Sequence, residues 1–145
     1  MNARRMVLSA ALAALLAAPL SGAIAQTAGA DKPHKVVFQV SDADPAKWNL
    51  ALNNARNVQQ DLGADKVAAE IVVYGPGIGM LKMDSVTGTR VSQAIASGVA
   101  VVACENTMKA QKLSRADMLK DIGYVPAGVV ELMERQKEGY SYIRP

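Results

Sequence analysis

Cysteine is almost missing from this chain. Cys104 is the only one among 145 residues, and His34 is the only histidine. A lone cysteine excludes an intrachain disulfide, and one Cys with one His argues against a closed zinc site. Aromatic residues are as scarce, with one Trp, one Phe and four Tyr. No basic and aromatic residues interleave to stack on bases, so nucleic-acid binding is not expected. The chain also lacks a G-x-S-x-G elbow, the mark of one large class of serine hydrolases. Internal repeats are absent. The methionines Met108, Met118 and Met133 are too dispersed for a copper motif and read as core filler.

The one long apolar run lies at the amino end. Arg4 and Arg5 precede Val7 to Leu20, and Ala23-Ile24-Ala25 supplies small residues before Gln26. That is the pattern of an export signal, and the run is shorter than the roughly 20 residues of a membrane span. We therefore expect residues 1–25 to be a signal peptide cleaved near Ala25/Gln26, 26–34 a linker, and 35–145 one domain. The expected location is the periplasm, without membrane attachment after cleavage. Losing Arg4 and Arg5 leaves 14 of the 16 basic residues against 13 acidic ones, so the basic isoelectric point does not define a partner.

The domain alternates strands with helices. Lys35–Ser41 and Val67–Tyr74 are nearly continuous apolar runs, as in strands buried on both faces. Asp44 and Pro45 are suited to start a helix, which Trp48, Leu52, Ala55, Val58 and Leu62 extend to Gly63. Gly75-Pro76-Gly77-Ile78-Gly79 reads as a flexible loop. The pattern predicts a helix over Ser85–Ser97, a strand over Val99–Ala103 and a helix over Thr107–Leu113. A short helical turn follows Ser114. Tyr124-Val125 is a brief strand, Pro126 opens a last helix to Lys137, and Tyr140–Ile143 is a fifth strand. Such alternation implies an α/β domain with a parallel sheet covered on both faces.

In such sheets chemistry gathers beyond the carboxyl ends of the strands. Cys104 stands at the end of the third strand, before a helix whose first-turn amides favour thiolate over thiol. Glu105 is expected to oppose that effect. A small buried hydrophobe at the end of a core strand is the alternative role for Cys104. Gly75-x-Gly77-x-Gly79 departs from the dinucleotide spacing G-x-G-x-x-G and reads first as a loop with unusual backbone angles, or as an amide nest for a small anion. His34 belongs to the opposite edge of the sheet. Lys109, Lys112, Arg115 and Lys120 read as a solvated face.

Three segments together resemble the DsrE/DsrF-like proteins: Gly98–Lys109 (GVAVVACENTMK), Tyr74–Gly77 (YGPG), and Val125–Leu132 (VPAGVVEL) with Gly139–Pro145 (GYSYIRP). The resemblance covers about residues 34–145. It implies a single-domain three-layer α/β sandwich with a mostly parallel five-stranded sheet, assembled as a homo-oligomer, trimer or hexamer. It implies that Cys104 accepts sulfur as a persulfide and passes it to a partner protein or small sulfur compound. It further implies a pocket lined by Gly75, Pro76 and Gly77, with Asn106 and Thr107 beside the thiol, and no cofactor or metal. The alternatives are a non-catalytic small-ligand-binding oligomer with Cys104 as packing, and a thiol redox sensor.

Overall fold

A computed structural model describes residues 32–145; the expected signal peptide and residues 26–31 of the expected linker lie outside the described residues. The strands are β1 (His34–Val40), β2 (Val67–Val73), β3 (Ala100–Cys104), β4 (Gly123–Val125) and β5 (Ser141–Ile143). The helices are α1 (Pro45–Leu62), α2 (Gly88–Ala96), α3 (Glu105–Ala110) and α4 (Gly128–Lys137), with short 3-10 helices at Gly75–Leu81 and Arg115–Asp117. The five strands form one sheet in the order β4-β3-β2-β1-β5, and every pairing is parallel.

Local chemistry explains α1. Asp44 Oδ1 accepts the Ala46 N–H at 2.9 Å, and Pro45 occupies the first turn. Trp48, Ala51, Leu52, Ala55 and Gln59 recur at helical spacing on the buried side. Gly63, at φ 93°, ends the helix and donates its N–H to the Gln59 carbonyl. Leu62, expected on the apolar stripe, is 42% exposed.

Strand alternation sorts the core into two layers. Val36, Phe38, Ala69, Ile71, Val101 and Ala103 pack toward α1 and α2. Val37, Val72 and Val102 pack on the other face, against Leu132 of α4. All seven residues of β2 are buried, as a strand with neighbours on both sides and helices on both faces requires. Each fully buried side chain of this size contributes roughly 1.5–3 kcal/mol. The second layer is thin, because one helix covers that face.

Several boundaries differ from expectation. Gly75–Leu81 is a 3-10 helix with Gly77, Ile78, Met80 and Leu81 buried, not a flexible loop. It is held because Gly77 presses on β1. A Cβ there would lie 2.7 Å from the Val40 carbonyl oxygen. α2 starts at Gly88 rather than Ser85, since Ser85 and Thr87 are bonded to one another through their hydroxyls and form a turn. α3 starts two residues early, at Glu105, and stops at Ala110. α4 starts at Gly128 rather than Pro126 because Pro126 still belongs to the extended exit of β4. β1 begins at His34. Met108 and Met118 are buried, but Met133, expected in the core, is 53% exposed on the outer side of α4. No helix among the described residues is long and apolar enough to cross a membrane.

Candidate functional site

The connections leaving β1, β2 and β3 lead to helices on one face of the sheet, whereas β4 leads to α4 on the other. The crevice of an open parallel sheet forms where neighbouring connections part in this way. Here it lies between the carboxyl ends of β3 and β4. Cys104 is the last residue of β3, paired with Val125 of β4. It is 5% exposed.

Two chain segments converge on the sulfur. Cys104 occupies the cap position of α3, so the first-turn amides of Asn106 and Thr107 lie beside it, although the Asn106 N–H is taken by the Pro126 carbonyl at 3.1 Å. From the other face, Gly128 at the start of α4 brings its backbone amide near the same atom, without closing a hydrogen bond on the neutral thiol. Burial pushes the thiol up, but the Thr107 hydroxyl and the amides of Gly128, Thr107 and Asn106 outweigh it. The thiol therefore titrates below its ordinary value. The α3 amides close no short cap bond on the neutral thiol. Their attraction grows when the sulfur carries charge. The main causes include no charged side chain, and Glu105, expected to oppose ionisation, pairs with Arg115 at 2.7 Å.

The glycine-rich segment orients one of these donors. The Gly75 N–H donates to Thr107 Oγ1 at 2.9 Å, which leaves the hydroxyl proton of Thr107 free to face the sulfur. Gln111 Nε2 donates to the Gly75 carbonyl at 3.3 Å, tying the same turn to α3. Gly75 has φ 55°, a left-handed conformation that suits glycine. The Gly77 N–H donates to the carbonyls of Ser41 and Tyr74, both at 3.1 Å. Both amides are thus committed within the protein, which removes them from an anion nest. Pro76 and Asn106 are exposed. Of the residues singled out in the sequence, Cys104, Thr107, Gly75 and Asn106 come together, while Gly77 serves the fit against β1.

Residues missed in the sequence complete the site. The Pro126 carbonyl accepts the Asn106 N–H at 3.1 Å, which ties α3 to the exit of β4. Gly128 fits against Tyr74: a Cβ there would stand 3.0 Å from the Tyr74 Cβ and Cδ1. The signal was a proline and a glycine directly after a very short strand. His34 starts β1 at the amino edge, away from the thiol. Lys109, Lys112 and Lys120 are exposed, and Arg115 lies 4.2 Å from the Tyr124 ring centroid.

A second cluster lies beneath α4. Glu70 of β2 is 3% exposed, with Oε1 unbonded and Oε2 2.6 Å from Arg135 Nε. Arg135 also meets Glu131 and Glu138, both at 2.9 Å. Burial raises the Glu70 carboxyl to about 7, a rise that Arg135 limits and Glu131 reinforces. One acidic residue inside an apolar strand was the signal for this group. Among the described residues no cluster of His, Cys, Asp or Glu is arranged to hold a metal ion.

A protein of unknown function from Methanobacterium thermoautotrophicum, MTH1491, has a similar structure, with a TM-score of 0.73 and 36% identity. The match covers 77% of this chain and 99% of that one. BT1422 from Bacteroides thetaiotaomicron, also of unknown function, has a TM-score of 0.61 at 15% identity, over 77% of this chain and 94% of its own, and shares the fold. No curated protein matches. The family model of the DsrE/DsrF-like proteins matches residues 34–145. The chain belongs to the DsrE/DsrF-like family.

Proposed function

We propose that Cys104 carries sulfur as a persulfide. The observation that supports this reading is the set of neutral donors turned on a single thiol in the β3–β4 crevice. They favour thiolate without a paired cation, and a thiolate is the attacking form in sulfur exchange. The family is linked to sulfur relay, and the absence of a second cysteine disfavours a dithiol cycle.

In the proposed step, Cys104 thiolate attacks the outer sulfur of a persulfide donor. A Cys104 S–S bond forms and the donor's S–S bond breaks. The donor leaves as a thiolate and takes up a proton from water. An acceptor thiolate then attacks the outer sulfur of Cys104 persulfide and restores the Cys104 thiolate. Sulfur changes hands with no net oxidation. The Thr107 hydroxyl and the backbone amides of Gly128 and Thr107 stabilise the negative sulfur in both forms. The proposal includes the export to the periplasm and the trimeric or hexameric homo-oligomer expected above.

Intact-mass measurement after incubation with a low-molecular-weight persulfide tests this reading. The native chain should gain the mass of one sulfur atom, lose it to a reductant, and pass it to an added thiol. Cys104→Ser should gain none. A chain that is alkylated at Cys104 yet never gains sulfur refutes the proposal.

A further inference from the structure

A groove unrelated to the thiol runs between α1 and α2, with a cavity volume of about 490 Å³. That falls in the range of small-molecule sites. Its lining runs from Leu52 to Gln60 along α1, from Arg90 to Ala94 along α2, and on to Ser97 and Val99 just before β3, and it includes neither Cys104 nor any residue of α3 or α4.

The lining is one-sided in its chemistry. Arg56 and Arg90 both face the groove, and no Asp or Glu lines it. Neither arginine has a carboxylate partner among the described residues. Arg90 is held in place across the helices by the side-chain oxygens of Asn49 and Asn53. These acceptors orient the guanidinium without neutralising it. Gln59 is 7% exposed and also lines the groove. Its Nε2 donates to the Ser97 carbonyl at 2.9 Å, and its Oε1 accepts the Ser97 hydroxyl at 3.1 Å. An amide nitrogen carries two protons, so one N–H of Gln59 has no partner among the described residues. Leu52 and Val99, both buried, supply apolar surface below these donors.

Two guanidiniums and a surplus amide N–H call for an acceptor with negative charge, and the apolar floor calls for a hydrocarbon body. We infer that the α1–α2 groove binds a small organic acid, its anionic head between Arg56 and Arg90 and its apolar part against Leu52 and Val99. The site is independent of sulfur transfer at Cys104.

Anilinonaphthalene sulfonate, which joins an anionic head to an aromatic body and brightens when shielded from water, is a suitable probe for the full-length protein. Saturable binding with one strong site per chain is expected. Arg56→Glu, an exposed position whose reversal should not disturb folding, should weaken binding about tenfold or more, equivalent to about 1.4 kcal/mol. Neutral phenylnaphthylamine should bind more weakly by a similar factor. Met133→Glu on the exposed side of α4 and Cys104→Ser should both bind as the native chain does. Equal affinity in Arg56→Glu, equal affinity for the neutral probe, or loss of binding in Met133→Glu or Cys104→Ser would each overturn the assignment.

Discussion

Replacing Gly128 by alanine tests how the fold activates the thiol. The new methyl group would stand 3.0 Å from Tyr74 Cβ and Cδ1 and 3.1 Å from Cγ. The Tyr74 ring can swing, but its Cβ is fixed by the backbone at the end of β2. The first turn of α4 must therefore move outward, at a cost of roughly 1–3 kcal/mol for overpacking. That movement carries the Gly128 N–H away from the sulfur. A hydrogen bond to a charged group contributes about 1.5–3 kcal/mol, and one pKa unit corresponds to about 1.4 kcal/mol. With the Thr107 donors still in place, the thiol should titrate higher than in the native chain. Its alkylation at neutral pH should slow, by up to about tenfold for the loss of one hydrogen bond to a charged sulfur. The assay is the pH dependence of iodoacetamide alkylation, followed by intact mass; Cys104 is the only cysteine, so no background thiol contributes. An unchanged titration midpoint in a folded but destabilised Gly128→Ala protein would refute the role of this amide.

Thr107→Val keeps the side-chain shape, removes one donor from the sulfur and leaves the Gly75 N–H without its acceptor. It should raise the thiol titration and lower stability by about 1–3 kcal/mol, read by the same alkylation profile and by denaturant melts. An unchanged profile would mean that the hydroxyl does not face the thiolate. Glu70 gives a pH test of opposite character. Buried as it is, its folded carboxyl titrates near 7 against an ordinary 4.5, so the folded chain retains a proton that the unfolded chain has lost. Stability should therefore fall as pH rises from about 4.5 through 7, by on the order of 3 kcal/mol. Glu70→Gln should flatten that slope in urea melts taken at pH 5 and pH 8. A slope that survives the substitution would assign it to other groups.

The site was legible to the extent that it depends on neighbours in sequence. Cys104 at a strand–helix junction needs only its own segment to be recognised, and so does its position before the amides of Asn106 and Thr107. Gly75 was visible as a glycine that had to turn, but its task of bracing Thr107 spans 32 residues and leaves no local trace. Glu105 looked like an opponent of ionisation from adjacency alone. Arg115, ten positions on, takes up its charge. The 3-10 helix at Gly75–Leu81 escaped notice because three glycines and a proline mark turns well but do not reveal what the turn packs against.

Local periodicity and capping in the chain were enough for the alternation of strands and helices, the start of α1 at Asp44 and Pro45, and the burial of β2. These depend on side chains within a few positions of one another. The sheet order β4-β3-β2-β1-β5 and the crossing of α4 to the second face depend on which distant segments pair, and periodicity does not encode pairing partners. That crossing brings Gly128, 24 positions after Cys104 in the chain, onto its sulfur and encloses Glu70 beneath Arg135. A cysteine conspicuous from its position thus gains a neighbouring glycine amide that only the assembled tertiary structure brings near.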